Sequence, residues 1–328
     1  MTTRHAPGLA PIQPGSSLNP IQYIRDEKIM RIRDTSITPR VTTFKGFGRC
    51  GVPMNIRHEY VGRDRAQEMQ HGGLLKPIRV RQPKEEFFMV GDKFGVSLVW
   101  DECQWERIAA NDQGFVQEVI EYFQEDTMLA FDSRVISSIM GEAHRENRGA
   151  NAGHRSKSIN LGSQAAPLLI NSDSVWTMHY NGMQRVLNEH GAMSSKSGRP
   201  MYVLHGDGYL PYIKLNDRMS SFYHQGNCMS CNSITMGDVN NVDGVDYINA
   251  RCLPSDINLA TGDITYPLLF GYDDAIWAGY DVVIQHKEGG HGDDNKYIDM
   301  YWHFGLKVID PRKLGVAWVK VPAMQIGA

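Results

Sequence analysis

The 328-residue sequence predicts an α+β protein whose N-terminal part differs in character from the rest of the chain. Three observations predict this class: a proline-containing start without an apolar run, a long polar stretch with strand-forming flanks, and a long helical stripe followed by several short strands. With 41% hydrophobic and 22% charged residues the composition is globular, which makes wholesale disorder, a collagen or a coiled coil improbable. The length suffices for two or three sub-domains.

The first segment in chain order is an N-terminal arm over residues 1–40. Pro7, Pro11, Pro14 and Pro20 keep its first twenty residues extended, because proline fixes its own φ angle and restricts the residue before it. Apolar residues then alternate with charges, as expected of a short helix. Nothing in the arm can build a core of its own, so it needs another surface to lie on.

The next segment, residues 41–95, predicts a long two-stranded β-ribbon. Its flanks, residues 41–47 and 87–99, carry β-branched and aromatic residues, whereas the middle is polar and rich in Gly and Arg. An isolated two-stranded ribbon is marginally stable in water. The ribbon is therefore expected to lie on something else.

Residues 111–140 give the clearest helix of the sequence. Asn111 or Asp112 is the candidate N-cap, and Gly141 marks the predicted end. The apolar stripe at helical spacing consists of Phe115, Val119, Ile120, Phe123, Met128, Phe131, Val135, Ile136 and Ile139. At 1.5 Å per residue this helix spans roughly 40 Å, which suits a structural spine.

The remaining elements form a mixed helix-and-strand region. A polar loop over 141–165 leads to a second helix over 172–190, with Ser172 or Asp173 as its cap and Gly191 at its end. Its expected buried face comprises Val175, Met178, Met183, Val186 and Leu187. Strands are predicted over 201–204, 245–252, 264–270, 297–308 and 315–321, with a hairpin turn at Asp243-Gly244 and a turn at Asp310-Pro311.

Charge is distributed unevenly along the chain, although the formal net charge is only −3. Residues 1–95 hold 16 basic and 9 acidic residues, a charge of +7, and the rest of the chain carries −10. Residues 236–300 are the acidic extreme, with 12 acidic against 3 basic residues. This asymmetry predicts that one part of the molecule lies against another part, or against another copy. A protein that wraps nucleic acid is usually far more basic overall.

Catalytic motifs are absent or incomplete in the sequence. The GxGxxG at residues 46–51 runs into Pro53 rather than into a helix, so it is not a dinucleotide fingerprint. The zincin pattern that starts at His58 fails at Gly62, and the calcium-loop pattern that starts at Asp238 has Val242 at a ligand position. We therefore predict no catalytic residue, no cofactor and no enzyme activity.

Two groups of residues are candidates for metal ligation. Cys228 and Cys231 form a lone CxxC, with His224 and Cys252 as loose additional candidates, and one pair is a weak sign of zinc. The second group holds three histidines and two aspartates: His286, His291, His303, Asp293 and Asp294. Reduced thiols and surface-loop polar residues are the commoner explanations, so no metal site is predicted.

Localisation follows from the ends of the sequence. No signal peptide and no run of 18 apolar residues is present, so we expect a chain made inside the cell, with no membrane partner.

The order of these elements resembles a known family. Residues 175–187 followed by Gly198-Arg199-Pro200 and a strand, Gly237 and a strand ending in Leu253-Pro254, the short apolar stretch Asp274-Ala275-Ile276, and the two closing strands occur in the same succession. Together they resemble the major capsid protein of tailed bacteriophages, with the Hong Kong 97-like fold. The resemblance covers about residues 20–321, and its joint order carries more weight than any single motif.

The resemblance implies a self-assembling subunit of an icosahedral head that encloses packaged double-stranded DNA, built from hexamers and pentamers. It implies an N-terminal arm over 1–40, an extended loop over 41–95 and a peripheral domain with the spine helix over 96–140. An axial domain would follow over 141–284, and 285–328 would close the peripheral domain. The expected location is the virion, with assembly in the bacterial host cytoplasm.

The resemblance also implies partners. The expected partners are further copies of the chain, a separate scaffolding protein, a portal and packaged DNA, which is contacted without sequence specificity. The resemblance leaves open whether a decoration protein also binds. A separate scaffolding protein is expected because only about forty residues precede the ribbon. The arrangement places the basic ribbon over an acidic surface of a neighbour, through Arg57, Arg63, Arg65, Arg79, Arg81 and Lys84. No intersubunit cross-link is expected, because no motif selects a lysine for one.

Three other functions stay open on the sequence. An encapsulin-type nanocompartment shell shares the fold implied by the resemblance. A soluble zinc-dependent enzyme would use His224, Cys228 and Cys231. A single-stranded nucleic-acid binder would use the basic ribbon, although few aromatic residues alternate with its basic ones.

Overall fold

The structure is a computed structural model, and it describes residues 36–44, 54–58, 84–88, 90–101, 103, 113–192, 194–195, 197–216, 239–242, 244–250, 252–288 and 295–322. Within these ranges the chain is a mixture of helices and strands arranged as two sheets and a separate two-stranded ribbon. Most of the predicted arm lies outside the described residues, as do the middle of the ribbon and the CxxC.

Five α-helices are present among the described residues. They are α1 (Thr38–Val41), α2 (Gln113–Glu142), α3 (Ser172–Thr177), α4 (Arg185–Glu189) and α5 (Tyr209–Leu215). A π-helical segment, Met178–Gln184, joins α3 to α4, and 3-10 turns lie at Arg145–Asn147, Asp273–Ala275 and Pro311–Lys313. None of the described helices combines the length and the apolar character that crossing a membrane requires.

The predicted spine helix is confirmed as α2. Its 30 residues span about 45 Å, and the part of the predicted stripe from Met128 to Ile139 is buried. The predicted end at Gly141 is wrong, because the helix runs to Glu142. Beyond it, the backbone N–H of His144 donates to the carbonyl of Pro311 rather than to a helix carbonyl. Gly141 is exposed within the last turn and has no left-handed φ.

The predicted second helix is confirmed with its buried face, but its predicted cap is wrong. Asn171, rather than Ser172 or Asp173, is the N-cap. Its side-chain oxygen accepts from the backbone N–H of Ser174 at 2.7 Å, and the Ser174 hydroxyl accepts from the N–H of Asn171 at 2.8 Å. This reciprocal capping box places the N-cap one residue before the predicted ones, and the helix begins at Ser172, the start of the predicted range. Gly191 follows the last turn with φ +76°, as the prediction required.

The first sheet has four strands in the order β1-β11-β12-β4. These strands are β1 (Thr43–Phe44), β4 (Asp92–Trp100), β11 (Ile276–Glu288) and β12 (Lys296–Val308). The long antiparallel pair β11–β12 is its centre, β1 adds to one edge in parallel, and β4 adds to the other edge antiparallel.

The second sheet has seven strands, in the order β5-β13-β10-β6-β8-β7 with β9 paired to β10. Its members are β5 (Leu168–Leu169), β6 (Met201–His205), β7 (Val239–Val242), β8 (Val245–Asn249), β9 (Asp256–Ile257), β10 (Ile264–Gly271) and β13 (Leu314–Val321). The predicted hairpin at residues 243–244 joins β7 to β8, where Val242 pairs with Val245. The predicted boundary between the axial domain and the closing part of the peripheral domain, at residues 284 and 285, falls inside β11 (Ile276–Glu288), a strand of the four-stranded sheet.

The ribbon is a separate sheet of β2 (Met54–His58) and β3 (Lys84–Phe88), paired antiparallel. A two-stranded ribbon is thus present as predicted, but its strands are not the predicted flanks, of which only residues 87–88 belong to it. Residues 43–44 pair with β11 and residues 92–100 pair with β12. The physical reason is burial, since Phe94, Val96 and Leu98 alternate along β4 and pack on the main core, which a free ribbon does not offer.

One hydrophobic core joins the helices to both sheets. Helix α2 packs against β12 of the four-stranded sheet and against β10 and β13 of the seven-stranded sheet. Phe131 is its central aromatic contact, stacked on Phe304 with ring centroids 4.4 Å apart and edge-on to Phe94 at 5.5 Å. The spine helix therefore positions the two sheets relative to each other.

Candidate functional site

The predicted intersubunit residues fall on the ribbon, where the structure describes the backbone of only two of them. Arg57 of β2 is in register with Glu85, and Lys84 of β3 is in register with His58. Both therefore stand at the same end of the ribbon, the end from which residues 59–83 depart. Arg63, Arg65, Arg79 and Arg81 lie outside the described residues.

The segment 36–44 is held to the spine helix by one buried carboxylate, Asp132, which is 5% exposed. The Ser36 hydroxyl donates to it at 2.5 Å and the Thr38 hydroxyl at 2.6 Å. The backbone N–H groups of Ile37 and Thr38 donate to it at 3.2 and 3.0 Å. Four hydrogen bonds to a charged acceptor are the stronger kind, so Asp132 fixes where the arm enters the body.

A second buried carboxylate, Asp273, is linked to the same segment through Arg199 and through its own backbone carbonyl. It accepts hydrogen bonds from the hydroxyls of Ser195 and Ser197. Arg199 lies 3.6 Å from its Oδ2 and also donates to the carbonyl of Pro39 at 3.0 Å. The Thr43 hydroxyl donates to the carbonyl of Asp273 at 3.2 Å. The 3-10 turn at Asp273–Ala275 is therefore a junction between segment 36–44, the loop before β6 and the four-stranded sheet.

The crossing from one sheet to the other is held by the turn Pro311–Lys313. Lys313 forms an ion pair with Asp274 at 2.5 Å and donates to the carbonyl of Ser194 at 3.2 Å. The buried Asn147 side chain donates to the carbonyls of Arg312 and Leu314, each at 2.8 Å. The chain after the spine helix and the entry to β13 are thus joined through one turn.

A cluster of three histidines and one glutamate lies beside this turn, and the sequence did not predict it. Glu146 Oε2 lies 2.8 Å from His154 Nδ1, 3.6 Å from His190 Nε2 and 3.8 Å from His144 Nδ1. The His190 ring stacks on His154 and meets His144 edge-on, each with ring centroids 4.8 Å apart. The hint was present in the loop over 141–165, where two histidines flank a glutamate within eleven residues.

The cluster shifts the protonation of its own members. The hydrogen bond with His154 lowers the pKa of the Glu146 carboxyl, against the opposing effect of burial. Burial lowers the pKa of His190, and the positive charges of His144 and His154 lower it further. At neutral pH this favours an ionised glutamate beside a neutral His190.

The metal candidates weighed from the sequence are mostly outside the described residues, namely His224, Cys228, Cys231, His291, Asp293 and Asp294. Cys252 is partly buried, and burial raises its pKa to about 11, so its thiol is protonated at neutral pH. His303 is buried in β12, where it is in register with Lys93 of β4 and with Asp281 of β11. Neither residue belongs to the one group with metal-ligand spacing in the described part of the chain, which is His144, Glu146 and His190.

Comparison with known proteins identifies the fold. No protein-family model matches the sequence, and no curated protein matches it. A solved chain from Mycobacterium phage Che8 is similar with a TM-score of 0.52 and 10% identity, covering 86% of this chain and 90% of that one. A chain from the capsid of a native GTA particle is similar with a TM-score of 0.50 and 9% identity, covering 88% and 90%. The mixed helix-and-sheet fold of phage capsid structures is thereby confirmed for this chain.

Proposed function

We propose that the chain is the major capsid protein of a tailed bacteriophage, a structural subunit that self-assembles into an icosahedral head around packaged double-stranded DNA. The observation that carries the proposal is the likeness of fold to the phage and GTA capsid chains, which covers nearly the whole of both partners. The sequence points the same way, since its motifs occur in the order of that family. The proposed role is non-catalytic, and the proposed location is the virion after assembly in the host cytoplasm.

In the finer proposal the architecture is the Hong Kong 97-like fold. Residues 1–40 are the N-terminal arm, 41–95 the extended loop and 141–284 the axial domain, and 96–140 with 285–328 form the peripheral domain. Two described features support it: the ribbon β2–β3 forms a sheet apart from the other two, and α2 is a long helix packed on both of them. The proposed assembly consists of hexamers and pentamers of this chain with a separate scaffolding protein, a portal and a decoration protein.

In the proposed shell the ribbon docks on an acidic surface of a neighbouring subunit. Two strands without a third are marginally stable alone, so a neighbour would supply the missing contacts. The basic residues Arg57, Arg63, Arg65, Arg79, Arg81 and Lys84 would face the partner's acidic groups. Each exposed ion pair contributes only ~0–1 kcal/mol, but the same pairs are repeated at every interface of a closed shell.

Charge reversal on the ribbon tests this docking. The double variant Arg63→Glu/Arg65→Glu should remain folded yet assemble poorly, because it presents like charge to the neighbour. The matched control Arg63→Lys/Arg65→Lys keeps the charge and should assemble normally. Particle yield by sedimentation, with circular dichroism of the free subunit, measures both. Normal shells from the Glu variant would refute the proposed docking of the ribbon, but they would still support the proposed shell function.

The function itself is tested by electron microscopy of the expressed chain, alone and with the genes that neighbour its own. Closed shells of uniform size are the expected result. A chain that stays monomeric under both conditions contradicts the proposal. Shells that enclose a co-expressed protein cargo in place of DNA would instead support the nanocompartment function.

A further inference from the structure

The His–Glu cluster beside the turn Pro311–Lys313 has no part in the proposed shell function. We propose that His144, Glu146 and His190 bind a zinc ion, with His154 holding the Glu146 carboxylate in place. Imidazole and carboxylate together are a donor set that zinc takes up in proteins.

The spacing of the donor atoms fits such an ion. Zinc lies about 2.0–2.2 Å from nitrogen and oxygen ligands, so two ligands of one tetrahedral ion stand roughly 3.4 Å apart. Glu146 Oε2 is 3.6 Å from His190 Nε2 and 3.8 Å from His144 Nδ1. The ligand atoms of the three residues all lie within 4.8 Å of one another. His144 Nδ1 also accepts a hydrogen bond from the backbone N–H of Glu146 at 3.3 Å, and an ion at this nitrogen would replace that contact. With this exchange and small side-chain rotations all three residues reach one ion, and the fourth position is left to water.

A second observation, independent of this spacing, points to a ligand. The His190 side chain is 4% exposed, and its Nε2, which is aimed at Glu146, has no hydrogen-bond partner among the described residues. A buried polar atom without a hydrogen-bond partner is destabilising, so one that persists calls for a reason. A metal ion at this nitrogen supplies the missing partner.

His154 has a different role from the other two histidines. Its Nδ1 is 2.8 Å from Glu146 Oε2, and its ring stacks on His190 at an angle of 29° between the planes. A hydrogen bond to a ligating carboxylate fixes the direction of its free lone pairs, as outer-shell partners of metal sites do. His154 is thus a positioning residue.

The location gives the ion a structural consequence. His144 and Glu146 follow the end of α2, whereas His190 caps the C-terminus of α4. An ion held by all three would cross-link the spine helix to the second helix. Because a folded site binds metal and the unfolded chain does not, zinc should raise the melting temperature of the subunit.

Calorimetric titration of the untagged, metal-stripped full chain with Zn²⁺ tests the proposal. We expect one ion per chain, a higher melting temperature, and a tetrahedral absorption spectrum when Co²⁺ replaces Zn²⁺. Glu146→Gln and His144→Gln should raise the dissociation constant at least about 100-fold, because loss of an outer-shell partner alone costs roughly 10–100-fold. His154→Gln should show that smaller loss, and since His154 is half exposed this variant should fold normally.

Two control variants separate this site from its rivals. Cys228→Ser/Cys231→Ser removes the CxxC, and Arg145→Gln changes an exposed side chain in the same 3-10 turn. Both should bind zinc as the unaltered chain does. The proposal is overturned if the chain takes up no zinc, or if the cysteine variant loses it while Glu146→Gln keeps it. Circular dichroism of each variant establishes that a lost site is not a lost fold.

Discussion

Segment 36–44 and the β-ribbon are attached to the rest of the chain in different ways. The segment is held by the buried carboxylate of Asp132, and Arg199 and the carbonyl of Asp273 contact it further along. Its apolar Ile37 and Val41 join the core. The ribbon is a two-stranded sheet that no third described strand joins. The position of the segment is thus encoded within one chain. The ribbon contacts the rest of the described chain through β3 and β12, and in our proposal a neighbouring subunit supplies its further contacts.

The largest expected effect is at the contact between α2 and the four-stranded sheet, the part of the chain to which both regions are attached. Phe131→Ala removes the ring that stacks on Phe304 and meets Phe94, and so opens a cavity between α2 and the four-stranded sheet. The free energy of unfolding should fall by about 3–5 kcal/mol, measured by urea titration. Leu129→Ala on the exposed face of the same helix should cost far less. Equal losses in the two variants would mean that the contact with Phe304 does not join helix and sheet.

The second prediction breaks the tether of segment 36–44. Asp132→Ala leaves the buried backbone N–H of Ile37 and the buried hydroxyls of Ser36 and Thr38 without this acceptor, whereas the N–H of Thr38 keeps the Ser36 hydroxyl, so unfolding should require about 3 kcal/mol less. The same variant should expose residues 36–44 to protease in the free subunit. Glu142→Ala, an exposed acid at the end of the same helix, is the control and should be near neutral. An unchanged digestion pattern in Asp132→Ala would show that apolar contacts alone hold the segment.

A smaller effect is expected at the start of the second helix. Asn171→Ala removes one half of the capping box and should lower stability by about 1 kcal/mol. Asp173→Ala, at a position that the sequence favoured as the cap, should lower it by only about 0.3 kcal/mol, through the helix dipole. Thermal unfolding of the two variants side by side measures the difference. A larger loss of stability in the Asp173 variant than in the Asn171 variant would mean that Asp173 is the N-cap, as the sequence alone suggested.

The periodicity of apolar residues predicted the helices and strands around the core well, because the buried face of a helix or strand repeats with the period of that element. The Met128–Ile139 stripe and the hairpin at 243–244 were found where the sequence placed them. What the sequence did not reveal depends on contacts between distant parts of the chain. The residues at 43–44 and 92–100 resemble ribbon strands locally, yet they pair with β11 and β12. For 92–100 the reason is that Phe94, Val96 and Leu98 pack on the core there.

The His–Glu cluster shows the same limit for the site. His154 and His190 are 36 positions apart, and only the fold of the loop against the end of α4 brings them together. A CxxC is visible as a local motif, whereas a ligand set assembled from two elements is not. The proposed ribbon contacts at Arg63, Arg65, Arg79 and Arg81 remain predictions from charge and resemblance.

The smallest expected effect is a pH dependence in the turn that links the two sheets. Hydrogen bonds and the positive charge from Arg312 lower the pKa of Asp310 below 3.8, although burial opposes them. Because the folded-state pKa is the lower one, the stabilising contribution is present above pH 3.8 and is lost as the pH falls below it. Asp310→Asn should therefore flatten the acid limb of the stability curve without moving the ribbon or segment 36–44. Urea titrations at pH 3 and pH 7 measure this, and an unchanged acid limb in Asp310→Asn would show that other carboxylates account for the acid sensitivity.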